Sequence, residues 1–172
     1  MKILSVSLLV AAVALSACTN PNRFGGDAAG SANPTGGMNT GITAGSINDP
    51  TSVAFFNQTV GDRVLFPTDQ STLTAEGRAT LDGQAGWLMT NSDYQAVIEG
   101  HADEQGTREY NLALGARRAN AAQEYLVSRG VPASRLRVVS YGKERPVEIC
   151  SSEACYAKNR RAVTVLAGGL SG

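Results

Sequence analysis

Residues 51–172 predict an α/β domain: a two-layer sandwich whose mixed four-stranded β-α-β-α-β-β sheet carries its helices on one face. Two observations predict it. Short apolar runs rich in β-branched residues alternate with two longer stretches of helical period, and start and stop residues separate them. That order of elements gives a mixed sheet covered on one side.

The elements follow in chain order. After a short lead-in, "SVAFFNQTV", the stretch "DRVLF" (62–66) is strand-like. Thr74 can cap a helix running to about Thr90, with Leu81, Ala85 and Leu88 at helical spacing. "YQAVIEG" (94–100) is the second strand, and a long helix follows from about Arg108 to Arg129, stopped by Gly130 and Pro132. "RLRVVSYG" (135–142) is the third strand, "YAKNRR" a short helical turn, and "AVTVL" (162–166) the fourth strand.

The stretch before this domain has another character. Lys2 precedes an apolar run from Ile3 to Leu15, too short for a comfortable bilayer span, and it reads as an export signal over residues 1–17. The sequence Leu15, Ser16, Ala17, Cys18 resembles the lipobox of bacterial lipoproteins, in which the cysteine is lipidated and becomes the first mature residue. Several acyl chains there would anchor stably, at roughly 0.8 kcal/mol per buried CH₂. The alternative is an ordinary signal peptide with a chance cysteine. Thr19 stands where inner-membrane lipoproteins often carry Asp, which favours the outer membrane. Residues 18–50 are Gly, Ala, Asn, Thr, Ser and Pro with almost nothing large and apolar, a composition expected of a disordered tether.

Losing residues 1–17 removes one base, Lys2, from the 15 bases and 15 acids. Such a near-neutral chain argues against nucleic acid as the main partner. Besides Cys18, Cys150 and Cys155 are the cysteines left, in a compartment that permits disulfides, and His101 is the single histidine. A metal site would want more Cys or His nearby, so a local disulfide closing the loop from 150 to 155 is expected.

The most telling position is on the long helix. At about 100° per residue, Leu112, Leu114, Ala119, Ala121, Ala122, Tyr125 and Leu126 fall on one arc, with Arg117, Asn120 and Glu124 opposite. Arg118 and Asn111 sit inside the apolar arc beside Gly115. A guanidinium drawn toward the core needs a paired anion. His101 and Asp103 leave the preceding strand in alternation, and Gly100 and Gly106 bracket a loop that could bring Asp103 to Arg118. Two readings stay open at this point: a buried ion pair joining strand to helix, or an opposed anion and cation at a cleft that matches a zwitterion.

Other chemistries fit less well. His101 with Asp103 and Glu104 could be imagined as a hydrolase base with its acid, but no serine, cysteine or metal-ligand set stands with it, and a structural hydrogen-bonding role suits the lone histidine better. "DEQG" lacks the dense oxygen spacing of a Ca²⁺ loop, and the glycine-bounded loop has no P-loop lysine. No metal, cofactor or catalytic residue is therefore expected. Lys158, Arg160 and Arg161 form either a second basic patch or a solvated turn near the sheet edge.

The stretch "IEGHADEQGTREYNLALGARRANAA" (98–122) resembles the pattern "VEGHADERGTxEYNxxLGxRRAxAV" of the peptidoglycan-associated lipoproteins, within the OmpA-like C-terminal domains. "VVSYGKERP" (138–146) and "CYAKNRRAV" (155–163) match as well, and the resemblance covers about residues 60–166. It implies a non-catalytic domain that grips the peptidoglycan stem peptide at meso-diaminopimelate. In that picture Asp103 takes the ligand ammonium and Arg118 its carboxylate, with Asn111 and Leu114 on the helix and Asp69 and Thr68 in the loop after the first strand. The resemblance also implies membership of the Tol-Pal system, docking with TolB, and a role in envelope constriction at division. A lipid-anchored periplasmic wall hydrolase is the alternative. "FPTDQ" (66–70) departs from the commoner "FDxD" or "FGFD" forms, since Pro67 removes a backbone donor and Thr68 replaces a larger apolar residue. Cys150 and Cys155 are absent from many relatives and suggest a subgroup feature.

Overall fold

A short strand, β1 (Arg63–Leu65), opens the sheet, which continues with β2 (Gln95–His101), β3 (Leu136–Gly142) and β4 (Arg161–Ala167). The computed structural model describes residues 43–168. The expected leader, Cys18 and most of the tether lie outside the described residues. The strand order is β1-β4-β2-β3. β4 runs antiparallel to both β1 and β2, whereas β2 and β3 are parallel, so the sheet is mixed as expected. Its edge strands are β1 and β3.

Among the described residues four α-helical pieces accompany it: α1 (Val53–Phe55), α2 (Ala75–Thr90), α3 (Arg108–Ser128) and α4 (Glu153–Asn159). The caps are those that the residue types favour. The Thr74 hydroxyl accepts from the Gly77 amide at 3.0 Å, and Thr107 does the same for Tyr110 at 3.2 Å. At the far end of α3, Gly130 takes a left-handed φ of 100°, and the Val131 amide reaches back to the Leu126 carbonyl at 3.1 Å.

Strand alternation sends Val64, Ala96, Ile98 and Ala162 into the core, where they meet Leu81, Ala85 and Leu88 of α2 and Ala119, Ala122 and Leu126 of α3. Gln84 is buried among them and satisfied twice. Its amide donates to the Gly61 carbonyl and its oxygen accepts from Thr164, both at 2.7 Å.

The structure adds one element and corrects two expectations. The lead-in segment is helical, α1 continuing as wider π turns over Phe56–Gly61 that bury Phe56 against Trp87. Residues 43–50, assigned to the tether, form turns tied by Asp49, which accepts from Gly45 and Thr51, and Pro50 accepts from the Trp87 indole at 2.7 Å. The helical turn near the C-terminus starts earlier, at Glu153, and releases Arg161 into β4.

Candidate functional site

Glycines decide how closely α3 lies on the sheet. A Cβ at Gly100 would collide with the Gly115 carbonyl, and one at Gly142 would sit 2.8 Å from the Leu112 amide nitrogen. The start of α3 therefore lies with its backbone against the ends of β2 and β3. Gly100 is thus a packing residue inside β2 rather than one bracket of a loop. Gly106, with φ at 87°, supplies the tight return into α3. Leu112 is 48% exposed, since backbone rather than side chain occupies the contact with Gly142.

A cleft of about 200 Å³ opens at this end of the sheet. Thr68, Asp69, Asp103, Asn111 and Leu114 line it, together with Gln105, Gly106 and Tyr110. Five of the six residues expected at a ligand site thus share one cavity. Arg118 stands behind them, 0% exposed.

The expected contact between Asp103 and Arg118 is not made. Arg118 donates Nε to the Gln70 carbonyl at 2.8 Å, Nη1 to that of His101 at 2.9 Å and Nη2 to that of Pro67 at 3.3 Å. Three carbonyl dipoles take the place of the expected anion. Burial pulls its pKa down to about 10, the charge of Asp103 raising it and that of Arg160 lowering it, so the group stays cationic at neutral pH. It also lies over the Phe66 ring, 5.4 Å from the centroid.

Asp103, 8% exposed, pairs instead with Arg160, whose Nη1 lies 3.1 Å from Oδ2. Its Oδ1 accepts from the Gln105 amide at 3.2 Å. Arg160 is no part of a solvated turn: it is 4% exposed, and Arg161 is buried beside it, while Lys158 is exposed and pairs with Glu148. The cause is the ladder beside β1, where the Phe66 amide bonds the Arg160 carbonyl at 2.9 Å and draws the side chain under the loop of residues 66–70. A hint lay in the adjacency of two arginines to an apolar strand, but the partner is 57 positions away.

The remaining cleft residues are fixed locally. Asn111 donates to the Gln105 carbonyl at 2.6 Å, pinning the Asp103 loop to the first turns of α3. Asp69 holds a left-handed φ of 57°, and the Tyr110 hydroxyl donates to its carboxylate. That bond raises the Tyr110 pKa. Asp tolerates this conformation better than most residues, at some cost in backbone energy. Tyr110 and Gln105 are cleft residues that spacing did not reveal.

His101 is not a structural hydrogen-bonder through its ring. Both ring nitrogens lack hydrogen-bond partners, the Glu99 carboxylate stands 3.6 Å off, and the ring packs beside Tyr141. Burial, then Arg161 and Arg145, push its pKa down to about 4, and it does not line the cleft. Cys150 and Cys155 are disulfide-bonded, with Cα atoms 6.0 Å apart. Among the described residues no group of three or more His, Cys, Asp or Glu is placed to hold a metal ion, and no helix is long and apolar enough to cross a membrane.

This sheet, with a charged cleft where β2 hands over to α3, defines a class. The chain belongs to the OmpA family, whose model matches residues 65–160. A peptidoglycan-associated lipoprotein of Rhizobium meliloti is 51% identical over 160 residues, spanning 93% of this chain and 85% of that one. One from Agrobacterium fabrum is 47% identical over 164 residues, 95% and 88% of the two chains. The crystal structure of the peptidoglycan-associated lipoprotein from Burkholderia pseudomallei superposes with a TM-score of 0.63 at 37% identity, covering 70% of this chain and 98% of that one. Within the family, the chain is one of the peptidoglycan-associated lipoproteins. The C-terminal domain of Helicobacter pylori MotB, at 19% identity and a TM-score of 0.59 over 63% and 86% of the chains, shares the fold.

Proposed function

We propose that the cleft holds the meso-diaminopimelate of a peptidoglycan stem peptide without cutting it. Asp103 receives the ligand ammonium and Arg118 attracts its carboxylate, with Thr68, Asp69, Asn111 and Leu114 shaping the walls. The observation that carries this reading is a nearly buried carboxylate on the cleft wall with the charge of a fully buried guanidinium behind it, the two not in contact. Three of the five guanidinium protons are bonded to carbonyls, and the fully buried group acts on an incoming carboxylate through its charge. The zwitterionic centre of diaminopimelate has the complementary charges.

The family and the sequence around Cys18 support a wider role. Lipidated at Cys18, the chain sits on the outer membrane with its domain in the periplasm. There it ties membrane to wall, takes part in the Tol-Pal system through TolB, and supports envelope integrity and constriction at division. The relatives carry the name of a peptidoglycan-associated lipoprotein rather than of an enzyme, which supports a binding role.

Incubation with purified peptidoglycan tests it. The protein co-sediments and releases no fragments, and Asp103→Asn loses that co-sedimentation while keeping its circular dichroism. Removing one member of a desolvated charge pair costs on the order of 2–5 kcal/mol, enough to empty the pellet. Solubilised muropeptides would instead establish a wall hydrolase.

A further inference from the structure

Asp103 is held at two points, and one of them comes from far away in the chain. Oδ1 accepts from the neighbouring Gln105 amide, while Oδ2 faces Arg160. The Arg160 fork is divided three ways: Nε donates to the Phe66 carbonyl at 3.2 Å, Nη1 to Asp103 at 3.1 Å, and Nη2 to Glu153. Glu153 is exposed and is the first residue of α4.

That helix has only seven residues, too few to persist alone in water. Its N-cap, Ser152, makes no capping bond, and its hydroxyl lies 3.2 Å from the Cys150 sulfur instead. Cys155, two residues beyond Glu153, is bonded to Cys150. The covalent link therefore restrains the turn that a cap would ordinarily hold.

We propose that Glu153 and Arg160 are positioning residues for the cleft carboxylate, and that the disulfide between Cys150 and Cys155 keeps Glu153 in place to do so. A loop outside the cleft thereby sets how Asp103 presents itself. The chemistry is that of a shared guanidinium. With Glu153 holding Nη2, Arg160 gives Asp103 a single bond through Nη1, and the carboxylate keeps acceptor capacity for a ligand ammonium. Freed from Glu153, the same fork can turn and engage Asp103 with two donors, which takes up that capacity. The consequence for binding rests on the diaminopimelate reading of the cleft.

The test uses the full chain, oxidised, against Glu153→Gln, the double variant Cys150→Ser with Cys155→Ser, and all three changes combined. Two readouts are taken: the Kd for a stem peptide containing meso-diaminopimelate, and the NMR position of the Gln105 amide without peptide. Each variant is expected to shift that amide and to weaken binding about three- to tenfold, with no further loss in the combination, since both changes act through one path. Arg160→Lys, which keeps the charge but loses the fork, is expected to weaken binding at least as much. If the amide shifts but no form binds the peptide, the relay stands and the ligand reading falls. An unmoved Gln105 amide, or unchanged affinity in both Glu153→Gln and the cysteine variant, overturns the proposal. Glu153→Gln alters an exposed side chain and remains informative should the cysteine variant fail to fold.

Discussion

From Ala119 to Leu126, α3 buries Ala119, Ala122 and Leu126 against the sheet; from Asn111 to Arg118, the same helix buries an amide, a bare backbone and a guanidinium beside the single apolar side chain of Leu114. The first half of the comparison is ordinary packing, stabilising in proportion to the apolar area withdrawn from water. The second half costs desolvation, which the carbonyls of Pro67, Gln70 and His101 offset for Arg118 and that of Gln105 for Asn111. One helix thus divides its labour along its length. The C-terminal half secures the fold, and the N-terminal half spends some of that stability on a charged cleft.

The contrast can be broken first where the two halves meet. Gly100→Ala places a methyl in the Gly115 carbonyl and is expected to cost more than about 4 kcal/mol, read by urea unfolding, with most of the protein unfolded in mild denaturant. Next, Leu126→Ala and Arg118→Ala each lower stability by about 3 kcal/mol, but with different consequences. The leucine variant still pellets with peptidoglycan below its unfolding midpoint, and the arginine variant does not. Loss of pelleting in a folded Leu126→Ala protein would erase the proposed division.

A comparable effect comes from pH. His101 is buried, and its pKa in the folded chain is pushed down to about 4, against 6.5 as the ordinary value. As pH falls below 6.5 the unfolded chain takes up a proton that the folded chain refuses. Stability therefore declines between pH 6.5 and about 4, by about 3 kcal/mol at most, and this contribution levels off below. Unfolding midpoints across that range should show the slope, and His101→Asn should flatten it. The smallest effect is expected of Arg117→Ala. Arg117 faces water with its charge over the Tyr110 ring, and both stability and pelleting should change by less than about 0.5 kcal/mol.

Much of this architecture was legible in the sequence, because period and caps are local signals. The helices of Thr74 and Gly130 begin and end where their residue types dictate, and Arg118 announced itself by standing on the wrong side of α3. What stayed hidden depended on distant meetings. Asp103 finds Arg160 only because β4 pairs with β1, and that choice of partner is written in no short window. The same holds for Arg118, whose partners are backbone carbonyls and so leave no trace in residue type. Tyr110 joined the cleft through Asp69, 41 positions earlier. Leu112 was misplaced for a simpler reason: an arc drawn from period alone cannot tell a side-chain contact from the backbone approach that Gly142 permits.

Residues 50 and 51 dock where α2 ends and the chain approaches β2, the Pro50 carbonyl accepting from Trp87 and the Thr51 carbonyl from Tyr94, while the cleft opens just past the end of β2 at His101. The chain thus comes in at one pole of the sheet and its ligand would be held at the other. A strand of seven residues at a rise of about 3.3 Å puts roughly 20 Å between them. Tension applied between these poles would run lengthwise along β2, which is flanked by β3 and β4 and shares its ladder bonds with both. With both load points at the ends of one strand, the covalent backbone of β2 would carry the pull, and its ladder bonds would hold the strand in register without being drawn apart.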